Sequence, residues 1–107
     1  MVMDDELDLV FGALADRTRR AILARLAQSE ASVADLTALF TLSQPAISKH
    51  LKVLESAGLV ARSRQGTMRL SRLDATPLRD ATGWLADYRT YWTESYERLD
   101  ELLDAID

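Results

Sequence analysis

The fold of this chain turns on one stretch, LSQPAISKHLKVLESAGLVARSRQGTMRL, from Leu42 to Leu70. Ile47, Leu51 and Leu54 recur at spacings of four and three, which places them on one face of a helix. Ser43 is a good N-cap, and Pro45 falls in the first turn, where a missing amide donor costs little. Gly58 suits the left-handed position after a helix end, from which Leu59 can pack back on Leu54. Together these signals predict a helix over about Gln44–Ala57. Two short strands should follow, near Leu59–Arg64 and Thr67–Leu73, turning at Gln65–Gly66. Over Ser43–Arg72 the bases are Lys49, Lys52, Arg62, Arg64, Arg69 and Arg72, against the single acid Glu55.

That local positive charge sits in a chain of 107 residues with net charge -4. From Leu73 onward there are nine acids and only three bases, Arg79, Arg89 and Arg98. Screening at physiological salt acts over roughly 8 Å, so a basic face can meet a polyanion while an acidic tail lies beyond its reach. Nearly half the residues are hydrophobic, which argues against disorder. With no cysteine, disulfides, thiolate metal sites and thiol redox switches are excluded. The apolar runs are too short to span a bilayer, and the acidic start MVMDDELD is unlike a signal peptide, so the expected address is the cytoplasm.

Outward from the central stretch, a first helix is expected from about Asp5 to Ala15, with Leu7, Val10, Phe11 and Leu14 on one stripe. Asp16 should cap a second helix, whose core stripe is Ala21, Ile22, Leu26 and Ala27. Ser32 and Asp35 match a capping box before a short helix with Leu36, Leu39 and Phe40. After the hairpin, Thr76 is expected to cap and Pro77 to begin one long helix reaching about Ala105. Leu78, Ala81, Leu85, Tyr88, Trp92, Ser95, Leu99, Leu102 and Ile106 then form a heptad-like seam. In a monomer of this size much of that seam would stay uncovered, so it calls for a partner.

Two short helices joined by a tight turn, followed by a hairpin, make a winged helix-turn-helix. The expected fold is mainly α, one domain over 1–107. Its helix-turn-helix covers about 33–57 and its wing about 59–73, with flanking helices at about 5–15 and 77–105. In such a unit the second helix enters the major groove of DNA with its N-terminal turn nearest the bases. Ser43, Gln44 and Ser48 are the candidate readers, and the Gln44 amide can pair bidentately with adenine. Lys49, His50 and Lys52 are better suited to phosphates, and Arg62, Arg64 and Arg69 on the hairpin to a flanking phosphate or the minor groove. Taken separately, these residues also fit a solvated helix face and a solvated strand face. Arg72 is as well placed to pair with Asp74, while Arg17, Arg19 and Arg20 fit ion pairing at a helix start better than DNA contact.

The lone histidine, His50, lacks a second imidazole or thiol, so no metal site and no cofactor is expected. No nucleophile–base pair or Gly-rich phosphate loop is recognisable, so no enzyme is expected. Leu85, Tyr88, Trp92, Leu99 and Leu102 on the last-helix seam are the expected contacts with a partner. Trp84, Tyr91, Trp92 and Tyr96 concentrate aromatic surface in the last helix, which fits a dimer core better than a ligand box and leaves open a small-molecule pocket there.

FGALADRTRRAILARL, SVADLTALFTLSQPAISKHLKVLESAGLV and the RSRQG hairpin resemble the ArsR/SmtB family of winged-helix transcriptional repressors over about Phe11–Leu73. Ser48, His50 and Leu51 followed by AGLV are the most specific part. The resemblance implies a homodimer built from the first and last helices, about 5–15 and 77–105, with two winged motifs that read a pseudo-palindromic operator in double-stranded DNA. In the interface it joins Leu7, Val10 and Phe11 to Leu85, Tyr88, Trp92, Leu99 and Leu102. It implies recognition contacts at Ser43, Gln44, Ser48 and His50, and wing contacts at Arg64 and Arg69. Neither the cysteines nor the combined last-helix histidine and carboxylate set of the family's metal sensors exists here, so metal sensing is not implied. The extended last helix WLADYRTYWTESYERLDELL resembles a metal-independent branch. Thr67 and Leu70 also replace the usual wing Arg and Tyr. Two other readings stay open: a protein-interaction module on this scaffold, and a repressor that answers to a small molecule.

Overall fold

The computed structural model describes residues 5–106; the first four residues of the acidic start lie outside it, as does the side chain of Ile106. The chain runs α1 (Asp5–Leu14), α2 (Arg17–Leu26), α3 (Val33–Phe40), α4 (Gln44–Ser56), β1 (Val60–Gln65), β2 (Met68–Leu73), α5 (Thr76–Ala86) and α6 (Arg89–Ile106). Helices α2 to α4 and the β1–β2 hairpin form the winged helix-turn-helix. Ile22, Leu36, Ile47, Leu51, Leu54 and Leu59 are wholly buried at its centre. In α2 the core stripe is Ile22, Leu23 and Leu26; Ala27, expected inside, is exposed, and so is Leu39 of α3.

Local side-chain chemistry sets the helix ends. Asp16 Oδ2 accepts the Arg19 amide at 2.9 Å, starting α2. Ser32 and Asp35 form a reciprocal capping box on α3. Between α1 and α2, Arg19 Nε donates to Ala13 O at 2.8 Å and Arg20 Nη1 donates to Leu14 O at 2.6 Å. These arginines satisfy carbonyls left open in the last turn of α1, where the helix dipole favours a cation. Carbonyl capping thus takes the place of the ion pairing expected there.

The end of α4 is a Schellman motif. Gly58 has φ +76°, its amide bonds Glu55 O, and the Leu59 amide reaches Leu54 O, both at 2.9 Å. The hairpin pairs Val60 with Leu73 through Gln65 with Met68, so its two-residue loop is Gly66–Thr67, one residue later than expected. Gly66 has φ +65° while Thr67 does not take a positive φ, the pattern of a type II′ turn. A backbone bridge between Ala31 and Ser71 ties the second strand to the loop before α3.

The C-terminal helix is two helices, not one. The amides of Asp87 and Tyr88 bond to Trp84 O and Leu85 O, three residues back, which tightens the last turn of α5 and interrupts the α-helical ladder. Thr76 is not the cap either: Asp74 Oδ1 accepts the Thr76 amide at 3.0 Å, just ahead of α5. Helix α5 lies against α1, with Ala81 buried and Phe11 meeting Trp84 edge-on at 5.6 Å. Beyond the joint little is covered: Trp92 is 57% exposed and Leu102 63%. The radius of gyration is 18.5 Å, against about 13 Å for a compact domain of this length. Helix α6 accounts for the excess, since it projects from the core with nearly every side chain exposed.

Candidate nucleic-acid interface

The exposed face of α4 is held rigidly from beneath. Its buried stripe anchors it, Ser43 Oγ accepts the Ala46 amide at 3.3 Å, and the Schellman motif fixes the far end. The turn that leads into it bends at Thr41, whose φ of 52° is unusual for a β-branched residue; its hydroxyl donates to Phe40 O at 2.7 Å. Ser43, Gln44, Lys49 and Lys52 are exposed, while Ser48 and His50 are half-buried.

Helical geometry divides these residues between two flanks. Gln44, Ser48 and Glu55, spaced by four and seven, share the flank toward the hairpin. On that side Arg62 Nε donates to Glu55, which joins wing to helix. His50 lies on the other flank, with Nδ1 4.0 Å from Asp16 Oδ2 at the start of α2. Lys49 and Lys52 stand between the two. Bonding to the Arg19 amide is the largest influence on the Asp16 carboxyl and holds it below the usual aspartate range, with Arg19 and His50 adding to the effect.

The hairpin register sorts its arginines. Arg64 pairs directly with Arg69, and Arg62 shares their face across from Ser71. Like charges directly opposite on a strand pair repel, and neither Arg64 nor Arg69 has an acid partner among the described residues. A cleft of about 240 Å³ lies between Arg62, Ser63, Arg64 and Arg69. An anion seated there would relieve the repulsion. Arg62 is committed to Glu55, so it frames this cleft with less freedom than its two neighbours. Arg72 lies on the opposite face, across from Ala61. Asp74 is lowered first by bonding to Thr76 and then by the charge of Arg72.

Neither the Glu55–Arg62 nor the Asp16–His50 contact was expected from the sequence. The first had a signal, the lone acid in a basic stretch; the second joins residues 34 apart in sequence and had none. Among the described residues no three His, Cys, Asp or Glu side chains gather as a metal site. No described helix is long and apolar enough to cross a membrane.

The expected dimer residues divide as well. Val10 is 2% exposed and lies in the protomer core, while Leu7 and Phe11 are half-buried against it. Leu85, Tyr88, Trp92, Leu99 and Leu102 are exposed. A cleft of about 450 Å³ opens among Trp84, Leu85, Tyr88, Tyr91 and Trp92.

Known proteins share this arrangement. The family described as bacterial regulatory proteins of the arsR type matches residues 16–62. The HTH-type transcriptional regulator Rv2034 of Mycobacterium tuberculosis is 40% identical over 98 residues, covering 92% of this chain and 89% of that protein. The transcriptional repressor SdpR of Bacillus subtilis is 34% identical over 79 residues, covering 74% and 88%. The homodimeric winged helix-turn-helix DNA-binding domain of a possible ArsR-family regulator from Mycobacterium bovis superposes with a TM-score of 0.65 at 31% identity. That match covers 80% of this chain and 82% of that one. These relatives are regulators of transcription rather than enzymes, and this chain belongs to the ArsR family of winged helix-turn-helix transcriptional regulators.

Proposed function

We propose that this protein is a homodimeric repressor that occupies a pseudo-palindromic operator, in one domain over 1–107, without metal sensing. The observation that carries the reading is the exposed face of α4. Gln44 stands at its probing end, Lys49 and Lys52 have no acid partner among the described residues, and the Arg64–Arg69 pair sits on the hairpin that Arg62 ties to Glu55 of α4. Gln44 and Ser48, with Ser43, would touch base edges; the lysines and wing arginines would hold phosphates. His50 is turned toward Asp16, so its share in phosphate binding is secondary to that contact. Homodimerisation is supported by the uncovered α6 and by the homodimeric Mycobacterium bovis neighbour, and repression by the name of the Bacillus subtilis relative. Two-fold symmetry would set the α4 helices one turn of DNA apart, roughly 34 Å.

Fluorescence anisotropy with the duplex upstream of the protein's own gene tests this. Binding should be at least about 10³-fold tighter than to a scrambled duplex, fall steeply with salt, and be unchanged by a chelator. Equal affinity for both duplexes would overturn it. A second reading, an apolar effector that alters dimer packing, is favoured only by the aromatic cleft beside the α5–α6 joint. It predicts that an apolar ligand titrated into the protein quenches Trp84 and Trp92 fluorescence and releases the duplex.

A further inference from the structure

A helix lying in the major groove has a phosphate backbone on each side of it, because the groove is about as wide as the helix. In this protein the wing supplies cations on one flank of α4, through Arg64 and Arg69. The opposite flank is the one His50 occupies, and there the neighbouring element is the start of α2, fixed by the 4.0 Å approach of Asp16 to His50. One peptide further along is Arg17, exposed, at the first position of α2.

Three arginines crowd this point, and two have work inside the fold. Arg19 and Arg20 bond the carbonyls at the end of α1. Arg17 has no hydrogen bond or ion pair from its side chain among the described residues. Its placement is also unfavourable for the fold alone, since a helix dipole disfavours a cation in the first turn. The nearby Asp16 carboxylate does not hold it: that group accepts the Arg19 amide and faces His50. An exposed arginine without a partner at this end follows directly on Asp16, the residue that meets the flank of α4 the wing does not serve.

We propose that Arg17 grips the DNA phosphate backbone on the side of the major groove away from the wing, which completes a bracket of cations around Lys49 and Lys52. This rests on the reading of α4 as the groove-binding helix. A phosphate contact positions without selecting sequence, so Arg17 would contribute equally on operator and random duplex.

The test is anisotropy titration over a range of salt, with the intact wild-type protein and its Arg17→Ala, Arg17→Lys, Lys52→Ala and Arg98→Ala variants. Arg17→Ala should make the log–log salt dependence shallower by roughly 0.9 for each phosphate that is no longer neutralised. The change should be the same on both duplexes. Arg17→Lys should restore the slope, and Arg98→Ala, out on α6, should match wild type. If Lys52→Ala flattens the slope but Arg17→Ala does not, the inference is overturned while the reading of α4 survives. Weaker binding by Arg17→Ala at an unchanged slope also overturns it, since the residue would then act through structure. If wild type binds no duplex even at low salt, the reading of α4 falls with it.

Discussion

Replacing Gly58 with alanine should destabilise the protein through backbone conformation alone. The residue is exposed and has φ +76°, and its amide and that of Leu59 close the Schellman motif on Glu55 O and Leu54 O. An L side chain in this left-handed region costs roughly 1–2 kcal/mol. Its Cβ would also stand 3.3 Å from Pro77 Cγ, so the ring must shift by a few tenths of an ångström. Alanine recovers part of the cost by restricting the unfolded chain, by about 0.4–1 kcal/mol where strain is absent. The net loss should be about 1 kcal/mol, a fall in Tm of roughly 4–8 °C for a domain of this size. Gly58→Asn should lose less, because asparagine tolerates the left-handed region. Urea unfolding followed by circular dichroism, at one fixed protomer concentration because dimerisation is linked to stability, measures the difference. An unchanged or higher midpoint for Gly58→Ala would refute the conformation described for the link between α4 and the wing.

Asp16, Asp35 and Asp74 are all lowered, in each case chiefly by accepting a backbone amide at a helix start. Since the folded values lie below the unfolded ones, their stabilisation is present above about pH 4 and is lost as pH falls through the folded values. Asp35→Asn should therefore flatten the acid limb of a stability–pH curve, and an unaltered limb would count against the capping box as its source. Gln44→Ala should relax discrimination at one base position by about 1–3 kcal/mol if the amide pairs bidentately, whereas Lys52→Ala should weaken all duplexes alike; binding to a panel of single-base variants separates the two. Trp92→Asp should yield monomers in light scattering, and a persisting dimer would place the interface elsewhere than α6.

What the sequence made legible was governed by local rules. Asp16, Ser32, Asp35 and Ser43 act through bonds to amides three residues away, and Gly58 through its own backbone, so each could be read in place. The core stripe of α4 follows from spacing alone. The α5–α6 joint was not visible, because the apolar spacing of three and four continues across it with no proline and no glycine at Asp87–Tyr88. Only the switch of two amides to acceptors three residues back reveals it. The hairpin turn was displaced by one residue because Gly66 can serve either position of the loop. Side-chain partners across elements were the least accessible: Glu55 with Arg62 and Asp16 with His50 depend on how α4 packs against the wing and α2. Val10 shows the same limit, since periodicity marks an apolar face without saying whether the protomer or a second copy covers it.

Two copies of α4 that read DNA as a symmetric pair should impose that symmetry on the sites they select. Selection from a random duplex library with the intact protein, followed by sequencing of the recovered DNA, tests it most directly. The enriched site should hold two inverted half-sites with centres about 10 base pairs apart, or a multiple of that spacing. Recovery of a single half-site, or of no enriched sequence under salt conditions where the protein still binds, would contradict it.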